Sequence, residues 1–223
     1  MPIKVDLSVH GLVDFVLRRG SIDSRSFNND TMAEGTRIHM RYQSLQDGSY
    51  QSEVPLEEDI ERDGYLFHLH GRADGIIHSK NYDIIDEIKS CNVDLDTFFM
   101  EQGEWHLGQA ICYAYLLAKS NNYSQVGIKL TYISQVDEDD NEIIKRRRMV
   151  KDFLFSYDEL EKRVLSLLDN YLDFYQQIEN YHQKRNQTAE SITFPFPQFR
   201  KGQREAAKYV YQVSHDGGLF FFE

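Results

Sequence analysis

Two short runs carry the residues best suited to chemistry. Gly71-Arg72-Ala73-Asp74-Gly75 sets an isolated carboxylate among apolar neighbours, and Asp86-Glu87-Ile88-Lys89 places a lysine two residues beyond an acid. On a strand, residues two apart share a face, so Glu87 and Lys89 stand with Ile85, and Asp86 turns to the opposite face with Ile84 and Ile88. Glu87, not Asp86, is therefore the paired acid. The same alternation puts Asp74 on the face of His70 and Arg72, provided that no bulge interrupts at Gly71 or Gly75. Two carboxylates converging from adjacent strands suit Mg²⁺ or Mn²⁺, hard cations that take oxygen ligands and keep positions open for water and phosphate. A lysine beside them orients an attacking water and stabilises developing charge. A surface hairpin with an ordinary Glu/Lys pair has the same residues, so the two runs alone leave both readings open.

The elements that must position these groups follow from periodicity. Ser8 caps a helix over 9–19 that stops at Gly20, and the polar stretch 21–30 reads as turns. A second helix opens on the capping-box pattern Thr31-Met32-Ala33-Glu34 and carries Ile38, His39, Tyr42 and Leu45 inward. Residues 51–56 predict an edge strand because Pro55 interrupts them, and 66–77 and 82–89 predict central strands joined by a turn at Ser79-Lys80-Asn81. After a polar loop with Asp94 and Asp96 comes a helix over 105–119, then strands over 126–134 and 143–155 flanking an acidic turn at 137–141. Ser156-Tyr157-Asp158-Glu159 opens a long helix with an apolar stripe from Leu160 to Ile178. This order predicts an α/β fold with a central mixed sheet flanked by helices.

His39 lies in the run Glu34-Gly35-Thr36-Arg37-Ile38-His39, and Gln109 and Tyr113 stand four apart on one helix face. The succession of a helix with G…H, a strand with GxxD, a strand with (D/E)xK and a helix with QxxxY resembles the RecB-like branch of the PD-(D/E)XK nuclease superfamily. It covers about half the chain in the right order. The resemblance implies a restriction-endonuclease-like fold and metal-dependent DNA hydrolysis, with a part in DNA repair. It implies metal binding by His39, Asp74, Glu87 and the backbone carbonyl of Ile88, catalysis by Lys89 with Glu87 and Asp74, and support of the lysine and the DNA backbone by Gln109 and Tyr113. Related nucleases carry four cysteines for an iron-sulfur cluster; here there are 2, Cys91 and Cys112, so no cluster is expected. A catalytically inactive module that keeps the fold to bind branched or single-stranded DNA, or a protein partner, is the alternative, although such a module has no need of buried, mutually repelling acids.

Other candidates have plainer readings beside them. Glu34 could be a further metal ligand, but its place in the capping pattern favours a cap. His68 and His70 form an HxH pair without a third ligand at suitable spacing, so surface or supporting histidines are the simpler reading. His106, three before Gln109, could face the phosphate path or plain solvent. Lys145-Arg146-Arg147-Arg148 is the strongest basic run and could track DNA, but alternate members of a strand point apart and acids stand beside it.

A chain of 223 residues with 41% hydrophobic composition can bury a substantial core. The net charge of -11 argues against DNA binding through bulk electrostatics and leaves that task to local groups. No apolar run is long enough for a membrane helix and the N-terminus lacks a signal pattern, so the cytoplasm is the expected compartment and no membrane the expected partner. Composition changes near the C-terminus, where 183–191 reads as a polar linker and Phe194-Pro195-Phe196-Pro197 cannot be helical. Phe194 to Gln203, with Arg200, resembles the segment preceding the nucleotide-binding loop of XPD/DinG-type superfamily 2 helicases; a helix over 206–213 and an apolar strand over 219–223 would follow. The expectation is a nuclease domain over 1–185, then a linker and the start of a helicase domain over 186–223 ending before its P-loop. The favoured partners are single-stranded DNA and that C-terminal helicase.

Overall fold

A computed structural model of the chain describes residues 2–18, 29–136 and 147–221, with side chains over the same ranges except 29–32. The chain divides into two units, Met1–Tyr175 and Gln176–Glu223. In chain order the elements are β1 (Ile3–Ser8), α1 (Val9–Leu17), α2 (Asn29–Gln43), β2 (Tyr50–Arg62), β3 (Tyr65–Ile77), β4 (Ile84–Cys91), α3 (Leu95–Asn121), β5 (Gln125–Ser134), β6 (Arg148–Ser156), α4 (Tyr157–Ser191) and α5 (Gln203–Asp216).

The first unit is a mixed sheet flanked by helices, a restriction-endonuclease-like arrangement. Its strand order is β1-β3-β4-β5-β6, with β2 on the outer side of β3. Pairing is parallel for β1/β3 and β4/β5 and antiparallel for β2/β3, β3/β4 and β5/β6. The parallel β4/β5 pair needs a crossover, and α3 supplies it. Phe67, Leu69, Ile85, Ile128 and Leu130 pack with α1, α3 and α4 in the main core. Ile88 and Ile133 look the other way and pack with Ile38 and Tyr42 of α2. The alternation along β4 therefore faces Ile85 to one layer of helix and Ile88 to the other.

Several boundaries differ from the sequence expectation, each for a local reason. The first helix ends at Leu17, where Arg18 turns extended; the proposed stop at Gly20 lies outside the described residues. Helix α2 begins at Asn29, so Thr31 is inside it rather than capping it, and Leu45 falls in the turn beyond it, 42% exposed. Strand β2 extends well past Pro55, which an edge strand accommodates. Asp63 and Gly64, both at positive φ, form a two-residue turn that carries β2 directly into β3. Helix α3 starts ten residues before the expected 105, because Asp94 accepts from Thr97 N–H as its N-cap and Phe98 and Phe99 join its inner face. The capping box at Ser156 and Glu159 is formed in both directions. Strand β6 begins at Arg148; the acidic turn and the expected start at 143 lie outside the described residues.

In the second unit α4 runs on to Ser191, so the expected linker over 183–191 is helical. Its composition of Gln, Lys, Arg and Glu is polar but helix-forming, which polarity alone does not distinguish from a linker. Phe194 and Phe199 stack 4.1 Å apart with Arg204 above Phe199, and α5 follows. Residues 219–221 form no strand, and 222–223 lie outside the described residues.

Candidate functional site

The site forms where β3 and β4 part. Strand β3 pairs with β1 through Tyr65–His70 and with β4 only at Gly75, Ile76 and Ile77, so residues 71–74 have no strand on that edge. Into the opening comes Tyr113 of α3: a Cβ on Gly71 would lie 2.8 Å from its ring, so only glycine fits. A side chain on Gly75 would instead collide with the Tyr50 hydroxyl. Tyr113 lies on the α3 side of the sheet, whereas Tyr50 lies near Asp86 and Tyr42 on the α2 side. Two glycines four apart thus look to opposite faces, which a regular strand forbids.

The alternation of β3 is broken between them, where Asp74 lies. Its charge acts on Glu87, Lys89 and Tyr113 and also on His39 and Tyr50, and beyond the break Ile76 pairs with Ile85 on the Glu87 side. The cause is visible on the neighbouring strand. Glu53, opposite Asp74, has φ 55° and drops out of the ladder, and Gln43 of α2 donates its amide to the freed Asp74 carbonyl at 2.9 Å and to Glu53 at 3.0 Å. Asp74 Oδ2 in turn accepts from the backbone N–H of Ile88 at 2.8 Å. The two strands are stitched by a carboxylate where their own ladder has stopped.

Glu87 and Lys89 project together, with Nζ 2.6 Å from Oε1. Glu87 is 3% exposed and its Oε2 is buried with no hydrogen-bond partner among the described residues. Burial, reinforced by the charges of Asp74 and Asp86 and opposed by Lys89, pushes its carboxyl up to about 7. Burial alone would lower the Lys89 ammonium, but Glu87 and Asp74 outweigh it and hold the pKa above the usual lysine value. Half-buried His39 feels Asp74, Glu53 and Lys89; desolvation dominates and keeps its pKa below the ordinary imidazole value, so the ring is neutral near pH 7. Buried Tyr113 takes a hydrogen bond from the Arg72 backbone. Gln109, 3% exposed, donates to His10 Nδ1 at 2.8 Å.

Asp86 sits on the other face, fully buried, accepting from Thr131 at 2.6 Å and Tyr42 at 3.4 Å with Lys129 3.9 Å away. It ties α2 to β4 and β5. Glu34 bonds Arg37 at 2.9 Å within α2, and the side chain of Thr31, its expected capping partner, lies outside the described residues. His106, expected to face solvent or phosphate, is 1% exposed and bonded to the Tyr132 hydroxyl at 3.0 Å, because α3 starts early enough to bury its whole inner face. Desolvation, helped by the Lys89 charge, pushes its pKa down to about 3. His68 pairs with Asp59 at 2.8 Å, and His70 stands 3.5 Å from Asp6. Of the basic run, Lys145 and Arg146 lie outside the described residues and Arg147 bonds Asp94 at 2.7 Å.

Sequence reasoning missed His10, Asp14, Gln43, Glu53 and Trp105 around the site. None belongs to a short motif; the Asp63-Gly64 pair would have extended β2 and brought Glu53 opposite Asp74. Among the described residues no three His, Cys, Asp or Glu side chains are gathered closely enough to hold a metal ion. Glu87 and Asp74 each have one oxygen committed, to Lys89 and to the Ile88 N–H. No helix of the described residues is long and apolar enough to cross a membrane.

No family model and no curated protein matches the chain. Among solved structures it is similar to SSO0001, with TM-score 0.45 and 19% identity, covering 73% of this chain and 75% of that one. It is also similar to an alkaline exonuclease from Laribacter hongkongensis (TM-score 0.44, 14% identity, 80% and 94% covered). A third likeness is to a phage-related exonuclease from Haemophilus somnus 129PT (TM-score 0.43, 14% identity, 78% and 82% covered). These likenesses concern the fold alone.

Proposed function

We propose that the chain is a divalent-metal-dependent deoxyribonuclease that hydrolyses phosphodiester bonds, with single-stranded DNA as its preferred substrate. The observation that carries this reading is Glu87, a buried carboxylate with Lys89 on one oxygen and, among the described residues, no hydrogen-bond partner on the other. A half-satisfied buried acid is costly to a fold and is retained where it has work to do. The donors nearby fit a hard cation such as Mg²⁺ or Mn²⁺: the carboxylates of Asp74 and Glu87, the neutral imidazole of His39 and the carbonyl of Ile88. When bound, the cation polarises the phosphate and makes water a better nucleophile.

The chain's own residues then have distinct tasks. Lys89, held cationic, hydrogen-bonds the attacking water and offsets charge on the phosphoryl oxygens. The water oxygen bonds to phosphorus, a phosphorus-oxygen ester bond breaks, and the proton lost by the water is returned to the departing oxygen. Glu87 fixes Lys89, the Ile88 N–H fixes Asp74, and Gln109 with Tyr113 supports the lysine and the DNA backbone. The segment 194–203 supports a further element of this reading, a DinG-type helicase partner that exposes single strands to a nuclease domain over 1–185.

The competing reading is a non-catalytic module that binds branched or single-stranded DNA or a protein, favoured by the absence, among the described residues, of a gathered set of three side-chain ligands. Incubating the purified chain with labelled single-stranded, duplex and forked DNA in Mg²⁺, Mn²⁺ or EDTA separates the two. Cleavage that needs metal and is lost in Asp74→Ala and Glu87→Ala supports the nuclease. Retained cleavage in both variants sinks the metal assignment, and a folded, metal-supplied chain that cuts none of these DNAs is the binding module.

A further inference from the structure

Helix α1 carries two residues that converge on the site from outside every motif. Asp14 Oδ1 accepts from Trp105 Nε1 at 2.7 Å, and the Trp105 ring centre lies 6.0 Å from Lys89 Nζ. The other oxygen, Oδ2, stands 3.4 Å from His10 Nε2 and 3.9 Å from Arg18. His10 Nδ1 receives the Gln109 amide at 2.8 Å, and the His10 and Trp105 rings pack 5.7 Å apart. An amide nitrogen only donates, so Nδ1 must be the acceptor; the ring hydrogen is then on Nε2, facing Asp14. The Asp14 charge 3.4 Å from Nε2 favours the tautomer that Gln109 requires. One N–H of Gln109 is committed to His10, and its oxygen is the acceptor that the supporting role proposed above would use.

We propose that Asp14 and His10 are positioning residues for Lys89, acting through the Trp105 indole they both contact and, in the supporting role proposed above for Gln109, through that amide as well. The inference rests on the nuclease reading for its consequence in catalysis, but the relay itself is a statement about α1, α3 and Lys89. Two packed helices share a carboxylate, an imidazole, an amide and an indole, and the indole stands beside the lysine that Glu87 also holds. The Asp14 charge also acts on the Lys89 ammonium and helps to keep it protonated.

Two measurements test it. In single-turnover cleavage, His10→Ala and Gln109→Ala should each slow the chemical step roughly ten- to a hundredfold with little change in KM, the usual cost of losing a partner that orients a reacting group. Their double variant should be no slower than Gln109→Ala, since both remove one arm. His10→Asn, whose Oδ1 can replace the Nδ1 acceptor, should recover most of the rate. Multiplying effects in the double variant, or equal losses in His10→Asn and His10→Ala, overturn the relay. The second readout needs no activity: Trp105 is the 1 tryptophan of the chain, and indole emission follows the field of nearby charges. Asp14→Asn and Lys89→Met should each shift its emission maximum in the folded, metal-free protein; unmoved emission in both overturns the relay whatever the nuclease assay gives. Shifted emission in a chain that cleaves no DNA leaves the relay standing and removes the nuclease reading.

Discussion

At the scale of single residues, parity along β4 separates two adjacent acids with different tasks. Asp86 has Thr131, Tyr42 and Lys129 around it, and Asp86→Asn keeps the shape and the Thr131 contact. We predict that Asp86→Asn retains metal-dependent cleavage and that Glu87→Gln loses it, measured side by side on single-stranded DNA. Titration gives a second prediction. A carboxyl pushed up to about 7 must lose its proton to meet a cation, so Mn²⁺ affinity measured by calorimetry should climb as pH rises from 5 to 7, release a proton on binding, and level off above. His106 acts oppositely on stability. Its folded pKa of about 3 lies below the ordinary imidazole value, so the unfolded chain binds more protons between the two, and stability is lost as pH falls below about 6.5. At pH 5 this costs about 2 kcal/mol relative to pH 8, from the separation between the solvated pKa and pH 5. His106→Leu should therefore show a smaller loss of urea midpoint between pH 8 and pH 5 than the parent.

At the scale of elements, the site depends on a strand that stops behaving as a strand. Gly71 admits Tyr113 from one side and Gly75 admits Tyr50 from the other, and Asp74 lies at the break between them, its charge acting on Glu87. Gly75→Ala should destabilise by about 1–3 kcal/mol through overpacking against Tyr50. Pairing it with Tyr50→Leu should recover part of that loss, because the obstructing hydroxyl is gone; chemical denaturation of the two single variants and the double reads the coupling. No local pattern beyond the two glycines signals this break. The reason for it lies on β2, where Glu53 at positive φ leaves the Asp74 carbonyl to Gln43.

At the scale of the whole molecule, every residue assigned to the site lies in the first unit, from His10 to Tyr113. A chain shortened to residues 1–191, which keeps α4 intact, should cleave single-stranded DNA at the rate of the full chain in Mn²⁺. A marked loss would give the aromatic segment around Phe194 and Phe199 a direct part in catalysis or in holding substrate.

Local pattern by itself determined much of this protein. Alternation placed Glu87 with Lys89 and set Asp86 apart, helical spacing put Gln109 and Tyr113 on one face, and capping residues marked the start of α4, because each depends on neighbours a few residues away. Only the tertiary structure decided that β3 breaks its alternation at Asp74, that His106 is buried, and that His10 and Asp14 pack against Gln109 and Trp105. These depend on pairs such as Glu53 with Asp74, Tyr132 with His106 and Trp105 with Asp14, which are distant along the chain and meet only when β2, β5 and α1 close around α3 and the parted strands.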